Sequence, residues 1–324
     1  MRITQRRYLL WGLLGLVVVL LGLSFAAAAV LTEGALHPLL QRRASDTAAL
    51  AYSIADTSGA TVQKVNIRAR DGTALNGWWL APQQPNGGAV IVCHGVADSA
   101  HGALGYALLF LKSKYSVLVP ESRGHGESRG YVTYGVLEDE DTVQWLHWMK
   151  GQGVKTAFGF GESLGGAILL QSLPKGADFK ALVVECSYSS FEAVADERVG
   201  RFISPIVARI LVKEGLLYTR LRYGVNLHNA RPDSAIRYAQ VPILLIHGLA
   251  DNETSPEHSR RLAQANPAFT ELWLVPGAKH TGAYAAAPRE FEERVLKWFS
   301  QASFTGHSRQ NTHIRTATPF FSHR

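Results

Sequence analysis

The chain has 324 residues, enough for one α/β domain of about 250 residues with segments to spare, and 47% of them are hydrophobic, so a large core can be buried. The formal net charge of +7 resides at the ends: Arg2, Arg6 and Arg7 at one, Arg309, Arg315 and Arg324 at the other, with no acid within residues 1–30 or 301–324. Without those six the body holds 27 basic residues against 26 acidic ones, which argues against a nucleic-acid-binding face.

Residues 8–31 contain no charged side chain, and Tyr8 and Trp11 stand at their start as interfacial aromatics would. A bilayer span takes about 20 residues, so a transmembrane signal anchor is expected at 8–31, after a cytoplasmic n-region at 1–7. The rival is a cleaved signal peptide, since Ala26-Ala27-Ala28 resembles an A-x-A site. The apolar run exceeds the usual core of about 7–15 residues, which favours the anchor. Arginines ahead of the span place the N-terminus inside and the rest of this single-pass chain outside the cytoplasm. Arg42 and Arg43 weigh only slightly against that orientation. Residues 32–59 read as linker and lead-in.

The segments 62–68 and 74–80 flank Asp71-Gly72, a hairpin signal. A strand at 88–93, a helix near 101–113, a strand at 115–120 and a helix near 136–150 then alternate as βαβ units. Residues 155–160 form a short apolar strand, and 166–173 read as a helix. Between them lies Gly161-Glu162-Ser163-Leu164-Gly165. Another strand follows at 181–185. From 190 to 236 the alternation stops, as for a cap inserted over a site. That insertion carries Phe202, Ile203, Ile206, Val207, Ile210, Leu211, Leu216 and Leu217 at near-helical spacing, broken at Pro205. The stripe either packs on the body or forms an acyl pocket or membrane-facing lid; the sequence leaves both open. The run 241–248 reads as a buried parallel strand and leads to Asp251. A helix from about Pro256, a strand at 271–275 and a loop ending at Lys279-His280 precede a final helix at about 288–299. The tail 301–324 is polar and expected to be disordered. Its His307, His313 and His323 lack ligand spacing, so no metal is assigned.

Strand, sharp turn and helix around G-x-S-x-G define a nucleophile elbow. Such a turn leaves no room for side chains at Gly161 and Gly165, lifts the Ser163 hydroxyl above the sheet and aims backbone N–H groups at the space before it. A serine needs a base, and the base needs an orienting acid. In chain order Ser, acid, His, the sequence supplies Ser163, Asp251 and His280, each past the C-terminal end of a strand, where open α/β sheets place ligands. The strand 89–93 ends in His94-Gly95-Val96, so the oxyanion donors expected are the N–H groups of Val96 and Leu164. Glu185 is the backup for the acid. Glu162 reads as a local hydrogen-bonding or rim group, and His125 as a structural or rim residue.

His94-Gly95, the run Glu121-Ser122-Arg123-Gly124-His125-Gly126-Glu127-Ser128, the elbow, Asp251 and His280 together resemble the α/β-hydrolase-fold serine hydrolases. Within them the chain is similar to the single-domain group of Bem46-like and acyl-peptide-hydrolase-like proteins. The resemblance spans roughly residues 60–300. It implies the α/β-hydrolase fold: a mostly parallel twisted sheet with helices on both faces and a helical cap at about 190–236. One departure is Lys279, where a small residue is usual. The activity implied is hydrolysis of a carboxylic ester or thioester by a Ser163–His280–Asp251 triad through an acyl-enzyme. No cofactor is called for, and the partners are a small, lipid-like acyl substrate and the membrane. Two alternatives stand: a small-peptide or acyl-peptide hydrolase, and a non-catalytic membrane-tethered binding protein on a hydrolase scaffold. The fold also sets Cys93 and Cys186 on strands flanking the elbow strand, about 9–10 Å apart. A disulfide needs Cα atoms within about 7 Å, so both are expected as free thiols.

Overall fold

A computed structural model describes residues 2–39 and 44–304. Arg42, Arg43 and residues 305–324 with the three histidines lie outside the described residues, whereas residues 301–304, the start of the tail expected to be disordered, continue the last helix.

Eight strands form one sheet in the order β1-β2-β4-β3-β5-β6-β7-β8. The hairpin of β1 (Thr61–Arg68) and β2 (Ala74–Ala81) is antiparallel. Its turn is fixed by the Thr73 N–H donating to Asp71 Oδ1 at 3.0 Å and by Gly72 at φ 83°, a conformation glycine adopts without steric penalty. β2 runs antiparallel to β4 (Ser116–Pro120). All later pairings are parallel: β3 (Gly88–Cys93), β5 (Thr156–Glu162), β6 (Ala181–Glu185), β7 (Ile243–Gly248) and β8 (Thr270–Val275). The inner strands are near-continuous Val, Ile and Leu because both faces are covered. Side chains alternate across the sheet: Val90 and Val92 join Phe110, Phe160 and Phe299 in one core, while Ile91 joins Leu118, Leu182 and Leu245 in the other. β3 and β6 flank β5, and Cys93 and Cys186 are buried free thiols.

Three elements differ from the sequence expectation. The helix near 101–113 is two, α3 (Ala100–Leu104) and α4 (Ala107–Lys112), and the break seats the Tyr106 ring 4.4 Å from that of Phe160. The stretch read as linker contains α2 (Ala44–Ser58), which buries Ala51, Ile54 and Ala55. Its apolar face is mostly alanine, so the helical period is faint. The last helix, α12, runs Pro288–Phe304, past Phe299.

The N-terminal helix α1 (Arg2–Leu36) is also longer than the span expected at 8–31, and its segment Arg7–Leu36 is long and apolar enough to cross a membrane. Nothing breaks it before Pro38, which disfavours a helical residue ahead of it. Its first part is exposed, but Ala28 and Leu36 are buried. The last three turns dock on the cap. Ser24 donates to Glu214 (2.7 Å), Tyr218 and Tyr223 donate to Glu33 (2.6 and 2.8 Å), and the Val132 N–H donates to Leu36 O (3.0 Å).

The remaining helices are α5 (Glu138–Gly151), α6 (Leu164–Ser172), the cap helices α7 (Phe191–Gly200), α8 (Pro205–Tyr223) and α9 (Pro232–Ala235), then α10 (Glu257–Ala265) and α11 (Ala283–Ala286). The cap therefore falls where the alternation of the sequence stops.

Candidate active site

Ser163 sits between β5 and α6 at φ 50° and ψ −112°, a left-handed conformation that a non-glycine residue adopts only when its surroundings enforce it. Close packing enforces it here. A Cβ on Gly161 would lie 2.6 Å from the Gly165 carbonyl carbon, and one on Gly165 would collide with Cys93 O. The Ser163 N–H donates to Glu185 O at 2.8 Å, pinning the turn to β6. Positive φ recurs at Ala97, Cys186 and Thr281, each in a loop after a strand's C-terminal end. Strain of this kind gathers where geometry serves function.

The sequence suggests an exposed serine, yet Ser163 is only 4% exposed. The loop after β3 crowds it: a Cβ on Gly95 would stand 3.6 Å from the Ser163 Cβ. Val96 follows in that loop. Leu164 begins α6, so its N–H has no acceptor within the helix.

His280 lies on the loop after β8, and its Nδ1 donates to Asp251 Oδ2 at 2.7 Å. Asp251 Oδ1 accepts the N–H groups of Glu253 (2.8 Å) and Thr254 (2.9 Å). His247, the penultimate residue of β7, brings Nε2 to 3.2 Å from Asp251 Oδ2. Burial pushes the Asp251 carboxyl up, but the bonds from His247, His280 and the Thr254 N–H outweigh it and hold the group well below the ordinary carboxylate range. Among the described residues the Ser163 hydroxyl has no hydrogen-bond partner, His280 included. Bonds of this type are often long in unliganded enzymes and tighten with substrate.

Glu185, the alternative acid, turns elsewhere. It is fully buried, and it accepts the Ala283 N–H at 2.9 Å and the Tyr106 hydroxyl at 3.3 Å. Glu162 is buried rather than at a rim. Burial, with the Glu185 charge adding, pushes its carboxyl up to about 8. Glu185 ties the end of β6 to the loop of His280 through the Ala283 N–H. His125 is fully buried as well. Its Nδ1 donates to Arg123 O at 2.9 Å, its ring meets that of His94 edge-on at 4.8 Å, and burial lowers it to about 3.

The potential metal ligands Cys186, His247 and Asp251 place one donor atom each within 4.8 Å of one another. Both ring nitrogens of His247 are engaged, however: Nε2 donates to Thr254 O at 2.9 Å, and Nδ1 meets Ser259 Oγ at 2.6 Å. Burial also raises the Cys186 thiol, the neighbouring Glu185 charge adding to the effect, which opposes the thiolate a metal would need. This group acts as a brace for Asp251. His247 and Tyr106 escape a sequence reading. The only signal for His247 is a polar residue closing an apolar strand, and Tyr106 looks like any aromatic in a helix.

A strained serine at the C-terminal edge of a mostly parallel sheet, with an acid–histidine pair two loops away, defines an α/β hydrolase. Residues 84–228 match the family described as serine aminopeptidase, S33. Among curated proteins, the chain is 25% identical over 236 residues to the uncharacterized protein YqkD of Bacillus subtilis, covering 70% of this chain and 75% of that one. YfhR of Escherichia coli is 24% identical over 235 residues, with 69% and 75% covered. Among solved structures, the Pyrococcus furiosus esterase Pf2001 superposes with a TM-score of 0.61 at 22% identity, over 76% of this chain and 95% of that one. A Mycobacterium tuberculosis puromycin-hydrolyzing peptidase gives 0.62 at 18% identity, over 76% and 40%. In fold the chain is an α/β hydrolase, and residues 84–228 resemble a serine hydrolase family.

Proposed function

We propose that the protein hydrolyses a carboxylic ester or thioester, with Ser163 as nucleophile, His280 as base and Asp251 as the orienting acid. The observation that carries this reading is the 2.7 Å bond from His280 Nδ1 to Asp251. A carboxylate only accepts, so the bond keeps the hydrogen on Nδ1 and leaves Nε2 free to accept a proton from Ser163. The serine oxygen attacks the acyl carbon as Nε2 takes its proton. The N–H groups of Leu164 and Val96 hold the oxyanion. His280 then protonates the departing alcohol or thiol. Water repeats the sequence on the acyl-enzyme, and the acid is released.

A fluorophosphonate probe tests the reading: it should modify Ser163, as located by peptide mass. An unmodified protein would favour a binding protein on a hydrolase scaffold. Similarity to the serine aminopeptidase family favours amide cleavage as a second reading. Rates on p-nitrophenyl esters of increasing acyl length, beside a thioester and an aminoacyl amide, separate the two.

The location proposed is the membrane, through α1, with the catalytic domain on the extracytoplasmic face. The uncharged run 8–31 and the arginines before it support this. Protease protection in oriented vesicles tests the orientation, and an N-terminus near Ala29 by mass would reveal cleavage instead.

A further inference from the structure

Helices α1, α7 and α8 enclose a cavity of about 80 Å³ with almost entirely apolar walls. Its lining includes Ala28 and Leu31 of α1, Phe191 and Ala195 of α7, and Leu211 and Leu216 of α8. It is a half-open cleft, and its walls forgo contacts on the empty side. One contiguous apolar cluster joins it to the nucleophile: Leu36, Leu216 and Phe191 pack with Leu164, the residue after Ser163, and with Val96.

The cavity also opens on the lipid side of the molecule. Ser24 pairs with Glu214 and Glu33 with Tyr223, the same offset of 190 residues in each case, so α8 runs parallel to α1. Carried back, that offset sets Ile206 and Ile210 level with Leu16 and Leu20, inside the apolar run of α1. The start of α8 is bare there: Phe202 is 87% exposed and Ile206 70%. Leu31, at the cavity's edge, is 52% exposed. Contiguous exposed apolar surface of this kind marks a membrane contact, and it is continuous with a helix of membrane-spanning length. Arg209 and Lys213 also lie on this part of α8, with long stems that can cover apolar surface while the charges turn away from it.

We propose that the cleft between α1, α7 and α8 is an acyl-chain site supplied from the bilayer, so that the substrate is a long-chain lipid ester. This deepens the hydrolase reading and rests on it for the chemistry, though not for the site. The test uses the full chain in phosphatidylcholine vesicles containing a lipid with a diazirine at its acyl terminus. In a parallel arm the same acyl tail is given as the free acid in detergent. Crosslinks from the vesicle arm should map to peptides of α7 and α8. Ala195→Leu, which adds an isopropyl group to the cavity, should reduce them tenfold or more, as should Leu31→Trp at the exposed edge. Ile206→Glu with Ile210→Glu should reduce the vesicle arm alone. Crosslinks confined to the exposed face of α1, or unaffected by both cavity variants, would overturn the site. An equal drop in both arms for the double variant would overturn the bilayer as source. Fluorophosphonate labelling of Ser163 in each variant verifies folding and reports the hydrolase reading separately.

Discussion

The buried carboxylate of Glu185 accepts the backbone N–H of Ala283 at 2.9 Å, tying the end of β6 to the loop that carries His280. Glu185 thus supports the histidine through the backbone, whereas Asp251 bonds the ring itself. Asp251→Asn should lower turnover by about 10⁴, because an amide no longer selects the Nδ1–H tautomer. Glu185→Gln should have far less effect, since a Gln oxygen can still accept the Ala283 N–H. Steady-state rates for both variants decide it, and the reverse order would make Glu185 the triad acid.

Ser163→Ala should abolish probe labelling and lower turnover by about 10⁶. Although Ser163 is buried, alanine keeps its Cβ and removes one hydroxyl, so the unfolding midpoint should stay close to that of the wild type. Labelling that persists at another residue would overturn the assignment.

Glu162 gives the stability a pH dependence. Its folded carboxyl lies at about 8, against about 4.3 when unfolded. Between those values the folded state holds a proton that the unfolded state lacks. Stability from this group is therefore full below about pH 4 and is lost as pH rises to 8, by up to about 1.4 kcal/mol per pH unit. Glu162→Gln should flatten that fall in denaturant titrations across pH 5–8. An unchanged slope would mean the carboxylate is ionised in the folded protein.

The cut position should matter when α1 is shortened. Deleting residues 1–23 keeps Ser24, Ala28 and the contacts with α8. Deleting 1–31 removes them, strands Glu214 without its Ser24 donor and bares Gly215 and Leu216. The longer deletion should be less stable by about 1–3 kcal/mol, the magnitude for exposing a large buried apolar side chain such as Leu216. Urea midpoints of the two in the same detergent measure it, and equal midpoints would make the α1 contact incidental.

The sheet, the strand–turn–helix at Ser163 and the loop positions of Asp251 and His280 were legible because each rests on a short-range signal: an apolar strand, a glycine turn, a polar residue just past a strand. What escaped depends on packing at long range. The burial of Ser163 comes from the Gly95 loop, residues away in sequence but in contact in space. The bracing of Asp251 by His247, and the bond from Tyr106 to Glu185, need strands and helices brought side by side. α2 hid because alanine marks a buried face only weakly, and α1 outran its apolar stretch because Thr32 bonds back to Ala28 O within the helix while Glu33 finds partners on the cap.

A cap is usually the part of such a molecule expected to swing aside. Here α8 is moored along three turns of α1, by hydrogen bonds at Glu214, Tyr218 and Tyr223. Swinging it would drag a membrane-length helix through its surroundings. With that roof fixed to α1, access to Ser163 falls to the loops after β3 and β8, which carry Ala97 and Thr281 at positive φ.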